Sequence, residues 1–291
     1  SRGGPVRTIS RDLPRFPGIC SRFGWHRACI ATVQNTGERT LDALIRTAFQ
    51  PIMSARGHIV AYEALLRFRE GLEKPESRMA AIRRWEESGY IATIDIAVLK
   101  QSIAALDLLH PTLSVSVNVS SLTVNRHRER YVRHLRGVGA LAKRLVIELT
   151  ESGVPLDPQA MLAFARDCAA LDVRLALDDC APGLPRCEET VLRTLRPKLV
   201  KLERKALSTA FQTLGDAALR ELIQRCSSAG ARVVAQGIDS QEKFDWSYSL
   251  GVRYFQGFLV GHPRQFPLLD EQAAFRSMEF TQPPAELSAA A

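Results

Sequence analysis

The chain has no Cys-x-x-Cys pair, and its six cysteines (Cys20, Cys29, Cys168, Cys180, Cys187 and Cys226) follow no regular spacing. In a chain of 291 residues that argues against a disulfide framework and a structural zinc, and for reduced thiols in a cytosol. Cys180 and Cys187 lie seven apart in one loop, too thin a pattern to read as a metal site. No apolar run is long enough to cross a bilayer, and no apolar leader with a cleavage site stands at the N-terminus, so a soluble, cytoplasmic protein is expected. Internal repeats and low-complexity tracts are missing too.

With 46% hydrophobic residues the chain can bury one large core, and a strand rhythm runs through it as a single unit from about Ala48 to Pro263. The expected organisation is a basic arm over 1–40, a barrel over 41–278 and a frayed tail over 279–291. Of the net charge of +8, the arm carries +5, from Arg2, Arg7, Arg11, Arg15, Arg22, Arg27 and Arg39 against Asp12 and Glu38. A basic arm can meet nucleic acid, an anionic membrane or an acidic partner, but no nucleic-acid motif accompanies it, and it reads as a solubilising linker.

Seven short β-branched runs each end in a polar residue: Glu63, Asn118, Glu148, the Asp178-Asp179 pair, Lys201, Gln236 and Gln256. Most are separated by enough chain for a helix, as in a βα unit. Parallel strands joined by such crossovers read as apolar runs whose polar ends meet around one mouth. The expected fold is therefore α/β, a TIM-type (β/α)8-like barrel with its site at the C-terminal rim of the strands. Phe49 to Met53 and Ile59 to Leu65 flank the Arg56-Gly57-His58 turn as a hairpin, so the barrel opens with one antiparallel strand. Helical spacing predicts a short helix over Leu41 to Ala48, two helices from Pro75 to His110 broken at Gly89, and a long helix from Leu207 to Ala229. A further helix from Asn125 to Arg136 is strongly basic, and its apolar stripe of Tyr131, Val132 and Leu135 marks the charges as a solvated outer face.

At the rim, Glu63, Asn118, Glu148 and Asp178 would supply three carboxylates and an amide oxygen, a hard donor set suited to Mg²⁺, Mn²⁺ or Ca²⁺. Asp179 could reach a second ion, and paired ions about 4 Å apart are a standard device for attack of water on a phosphodiester. Lys201 would balance charge near that water or the phosphate. A single strand-end carboxylate is more often a cap or an ion-pair partner than a ligand. Several around one mouth repel one another unless a cation compensates.

The run Glu63-Ala64-Leu65-Leu66-Arg67 resembles the signature of the EAL domain family, bacterial phosphodiesterases of cyclic di-GMP. Phe49-Gln50-Pro51-Ile52, Val117-Asn118-Val119-Ser120, Glu148-Leu149-Thr150-Glu151, Asp178-Asp179, Val200-Lys201-Leu202 and Phe255-Gln256-Gly257-Phe258 are similar to further motifs of that family, in order from about Leu41 to Pro263. The resemblance implies Mg²⁺ or Mn²⁺ held by Glu63, Asn118, Glu148, Asp178 and Asp179, and catalytic positions at Lys201, Gln236 and Glu151. It also implies cyclic di-GMP near Gln50, Arg67 and Gln256, and a homodimer or a regulatory protein partner.

Two departures stand out. Where the family has Ala-Glu-Gly-Val-Glu, this chain has Ala235-Gln236-Gly237-Ile238-Asp239. An amide cannot act as a general base and is a poor anionic ligand, so one metal site is expected and the second is weak. The loop after the paired aspartates reads Cys180-Ala181-Pro182-Gly183-Leu184-Pro185-Arg186-Cys187, and its two prolines stiffen a segment that flexes in the family. Glu203 also replaces an aspartate. The expected role is a divergent domain that binds cyclic di-GMP or a protein partner with weak or absent hydrolysis. The alternative is an active phosphodiesterase yielding linear pGpG.

Overall fold

The computed structural model describes residues 45–68, 75–150, 154–213 and 215–265. The expected arm, the tail and Glu151 lie outside the described residues. Within them the strands are β1 (Ile45–Ser54), β2 (Ile59–Phe68), β3 (Ser114–Ser120), β4 (Leu145–Thr150), β5 (Arg174–Cys180), β6 (Leu199–Leu202), β7 (Arg232–Ala235), β8 (Tyr254–Phe255) and β9 (Arg264–Gln265). From β2 to β8 each strand pairs in parallel with the next in sequence. β1 pairs antiparallel with both β2 and β8 and so closes an eight-stranded barrel, while β9 adds antiparallel to β1.

The hairpin predicted for β1 and β2 is present, turned at Gly57, whose φ of 80° suits glycine. The helices are α1 (Pro75–Glu87), α2 (Ile91–Leu108), α3 (Ser121–Arg136), α4 (Pro158–Ala170), α5 (Glu189–Leu195), α6 (Arg204–Thr213), α7 (Ala217–Ser228) and α8 (Gln241–Ser249). Several follow a strand top through a short polar cap. Ser120 Oγ accepts from Thr123 N at 3.2 Å, Asp157 Oδ1 from Ala160 N at 2.8 Å, and Ser240 Oγ from Lys243 N at 3.2 Å. Each such cap stabilises its helix by about 1 kcal/mol and sets where the strand ends.

Two expectations are corrected. Residues 45–48, expected to be helical, form the start of β1, because Ile45, Ala48 and Phe49 are buried while the backbone pairs with β2. Sheet pairing and burial override the weak helical spacing there. The single long helix expected over Leu207 to Ala229 is two, α6 and α7. Gly215 closes the first, its N–H donating to Ala210 O at 3.2 Å, and Asp216 opens the second.

Strand alternation builds the interior in layers. Ile52, Ala61, Val146, Ala176, Leu199 and Val234 form one buried apolar cluster. Gln50, Glu63, Glu148, Asp178, Lys201 and Gln236 each stand two residues from a member of that cluster, on the same face of the same strand or its extension. Period-two geometry therefore stacks a polar layer directly on an apolar floor, facing the mouth.

Candidate functional site

Lys201 sits at the centre of the polar layer, fully buried. Its Nζ lies 2.8 Å from Glu148 Oε2, 2.9 Å from Glu63 Oε2 and 3.4 Å from Asp178 Oδ1. Glu63 also accepts from Asn118 Nδ2 at 2.8 Å and from Gln256 Nε2 at 2.6 Å, and Gln256 reaches Gln50 Oε1 at 3.3 Å. Gln236 Nε2 donates to Asp178 Oδ1 at 3.1 Å. The structure thus joins Gln50, Glu63, Asn118, Glu148, Asp178, Lys201, Gln236 and Gln256 into one connected network.

The charges do not balance within it. Burial pushes the Glu148 carboxyl up to about 8, with Glu63 and Asp178 adding to the effect and Lys201 opposing it. For Glu63 burial is outweighed by the Lys201 charge and by hydrogen bonds from Lys201, Gln256 and Asn118, which hold its pKa below the usual value. Burial alone would lower the pKa of Lys201, yet Asp178, Glu148 and Glu63 raise it well above the ordinary range, so the ammonium stays charged. With all three carboxyls ionised, one lysine among them would leave a net charge of minus two, so a divalent cation that bound there would displace the proton that burial favours on Glu148.

The donor set fits such an ion. Oxygens of Glu63, Glu148 and Asp178 lie within 4.8 Å of one another. Asn118 Oδ1 and Glu148 Oε1 are buried without a hydrogen-bond partner, an arrangement that costs free energy unless something takes those lone pairs. All of these donors are hard oxygens. Glu63, Asn118, Glu148 and Asp178 would hold the ion, whose chemistry when bound is to polarise a phosphoryl oxygen.

Asp179 is placed differently. Its backbone is left-handed, with φ of 49°, and β5 pairs with β6 through Ala176 with Leu199 and Leu177 with Val200, then resumes at Cys180 with Leu202. This bulge keeps Asp178 facing inward and sets Asp179 on the wall of the cavity above. The cavity holds about 290 Å³ and is lined also by Gln50, Gln236, Gln256, Arg204 and Phe258. Arg67 does not line it, and hydrogen-bonds Leu66 O at 2.8 Å.

Sequence reasoning missed three neighbours of the site. Ser116, two residues before Asn118 on the same strand face, is buried with its hydroxyl unpartnered, and period-two spacing would have found it. Arg204 lies across the backbone of Gly237, where a Cβ would come within 2.5 Å of its Cγ. Phe258 is 56% exposed at the mouth and stacks on His262, ring centroids 4.2 Å apart. No spacing rule marks these last two, because Arg204 opens α6 just past the end of β6 and Phe258 lies in the turn after β8.

A family model of the EAL domain matches residues 38–263. The chain belongs to the EAL domain family. Among curated relatives it is 27% identical over 242 residues to the biofilm architecture maintenance protein MbaA of Vibrio cholerae, covering 79% of this chain and 30% of MbaA. It is 26% identical over 230 residues to the bifunctional diguanylate cyclase/cyclic di-GMP phosphodiesterase MucR of Pseudomonas aeruginosa, covering 74% of this chain and 32% of MucR. The chain thus spans about a third of the length of these relatives. Two solved structures share the EAL fold. A MucR phosphodiesterase in complex with c-di-GMP gives a TM-score of 0.67 at 23% identity, covering 77% of this chain and 98% of that one. The FimX EAL domain of Pseudomonas aeruginosa bound to c-di-GMP gives 0.69 at 22% identity, covering 81% and 96%. Among the described residues no helix is long and apolar enough to cross a membrane.

Proposed function

We propose that this EAL domain acts in bacterial cyclic di-GMP signalling as a binding module that takes the dinucleotide with one divalent cation and hydrolyses it slowly or not at all. The observation that carries the reading is the hydrogen bond from Gln236 Nε2 to Asp178 Oδ1. At the position where the resemblance calls for a carboxylate, this chain turns a donor toward the cluster, and a donor neither holds a cation nor takes a proton from water. Losing a ligand or base at a metal site removes about two to four orders of magnitude in rate, some 3 to 5 kcal/mol of barrier. Contacts to phosphate and base need not fall with it. The c-di-GMP held by the MucR and FimX structures supports the choice of ligand. Phe258 offers an aromatic face for a base and Arg204 a charge for a phosphate, both on the cavity wall.

A second reading, an active phosphodiesterase yielding linear pGpG, draws on Asp179 and Asp239. Both line the same cavity as Gln236 and would supply carboxylates for a second cation. Titration of cyclic di-GMP with and without Mg²⁺, followed by chromatography of the nucleotide, separates the readings. Binding with the ligand recovered intact supports the module, whereas turnover at about 1 s⁻¹ or more, an ordinary enzyme rate, establishes the hydrolase and refutes our reading. No binding under either condition also refutes it.

A further inference from the structure

The end of the barrel opposite the mouth carries charge of the opposite sign. The turns that lead into β2 to β8 meet there, over 55–58, 109–113, 137–144, 171–174, 196–198, 229–232 and 250–253, because the parallel strands all start at that end and β1, antiparallel, finishes there. Together these turns hold eight lysines and arginines and a single carboxylate, Asp172. Among the described residues none of the eight pairs with a carboxylate, whereas Arg193, Arg220 and Arg225 on the outer helices each pair with an acid one turn away. Arg56, Arg174, Arg196, Arg232 and Arg253 are exposed and Lys198 is half-buried.

Topology gathers these cations from distant parts of the sequence. Arg174 and Arg232 stand two residues before Ala176 and Val234 of the apolar floor, on the same strand faces, and so lie on the axial side. Arg232 covers the Tyr254 ring, 5.4 Å from its centroid, and Arg253 covers that of Tyr248, at 4.4 Å. Burial lowers the pKa of Lys198, and the charges of Arg232 and Arg174 lower it further. One strongly apolar feature joins them. The large hydrophobic side chains that the described residues expose are Phe258, at the mouth, and Leu108, which is 72% exposed and ends α2 at the basic end. Arg144 ties the two residues after it to the rim, donating to Leu109 O at 3.0 Å and His110 O at 2.9 Å.

We infer that this end of the barrel docks on an anionic lipid bilayer, its guanidinium and ammonium groups against the lipid phosphates and Leu108 in the acyl boundary. Unopposed like charges repel one another, and a negative surface relieves them. The arrangement selects a bilayer over a nucleic-acid duplex. Cations set around a barrel axis present themselves to a plane, whereas the backbone of a duplex is met along a line. An exposed leucine adds affinity at a lipid interface and none against phosphate. Docked in this way, the mouth faces the aqueous phase, open to a dissolved ligand. The inference rests on charge and topology at the end remote from the site and is independent of nucleotide binding.

The full chain is sedimented with vesicles of phosphatidylcholine mixed with phosphatidylglycerol, and with phosphatidylcholine alone. It should partition to the anionic vesicles only, and less as salt rises. Arg174→Gln, Lys198→Gln and Arg232→Gln together should weaken partitioning on the order of 100-fold, at about fivefold per cation. Removing three cations from α3 instead, by Arg126→Gln, Arg130→Gln and Arg133→Gln, should weaken it less than about tenfold, since that face is turned to the side. In the unaltered chain, acetylation by acetic anhydride read by mass spectrometry should show vesicles protecting Lys143 and Lys198 but not the exposed Lys205, beside the mouth. That footprint decides the matter even where a variant fails to fold. No partitioning to anionic vesicles, equal losses from the two triple variants, protection of Lys205 rather than Lys143, or tighter binding of a DNA duplex than of vesicles through the same three residues would overturn the inference.

Discussion

Replacing Lys201 with Met leaves three carboxylates around a site that is almost closed to water. The side chains of Lys201 and Glu148 are fully buried, and those of Glu63 and Asp178 are 7% and 11% exposed. Screening is therefore small, and removing one partner of such a buried set costs about 3 to 5 kcal/mol, chiefly because uncompensated charge stays behind. That is a large share of the roughly 5 to 15 kcal/mol that holds an ordinary domain folded. Urea denaturation followed by circular dichroism measures it. Lys201→Met should lower the unfolding free energy by that amount, shifting the midpoint accordingly, and millimolar Mg²⁺ should restore more stability to the variant than it adds to the wild type. A companion Glu148→Gln change should reduce the penalty, so the double variant loses less than the sum of the singles. A loss below about 1 kcal/mol, or additive singles, would refute the view that Lys201 is the internal counter-ion of the cluster.

Gln236→Glu restores the carboxylate that the resemblance calls for, and should raise turnover of cyclic di-GMP by about two to four orders of magnitude, read by chromatography of the product. An unchanged rate would place the block elsewhere, in the proline-bearing loop. Phe258→Ala should weaken dinucleotide binding by about 1 to 3 kcal/mol without altering Mg²⁺ binding, both by calorimetry. Equal affinities would exclude stacking there. Asp95 of α2 accepts from Ser120 N, Ser120 Oγ and Thr123 Oγ1, but burial dominates and pushes its carboxyl from 3.8 to about 6. The folded chain therefore keeps a proton there that the unfolded chain loses, so stability falls as pH rises from about 4 to about 6, by up to about 3 kcal/mol. Denaturation midpoints across that window should slope less in Asp95→Asn, and parallel slopes would contradict this.

The barrel was legible because its signals are local. Each strand is a short apolar run with a polar end, and period-two alternation carries Glu63, Glu148, Asp178 and Lys201 to the same layer whatever the helices between them do. The antiparallel opening was legible from the Arg56-Gly57-His58 turn. The first residues of β1 were not, because what makes them a strand is pairing with β2 and β9, and β9 lies more than two hundred residues away. Gly215 and Asp216 mark the break between α6 and α7, a stop followed by a start that was overlooked within a long amphipathic pattern. The polar layer was readable as a set, but its wiring was not. That Lys201 bonds the carboxylates and that Gln236 turns its amide toward Asp178 depend on rotamers that only packing decides. Arg204 enters the cavity from the first residue of α6 and Phe258 from a turn, where no periodicity points inward.

Calorimetric titration of the full chain with Mn²⁺ bears most directly on the metal site. One ion should bind per chain, and Glu63→Gln should abolish that binding while Gln236→Glu adds a second ion. Two ions of equal affinity in the wild type, or none, would contradict a single cation site closed on one side by the Gln236 amide.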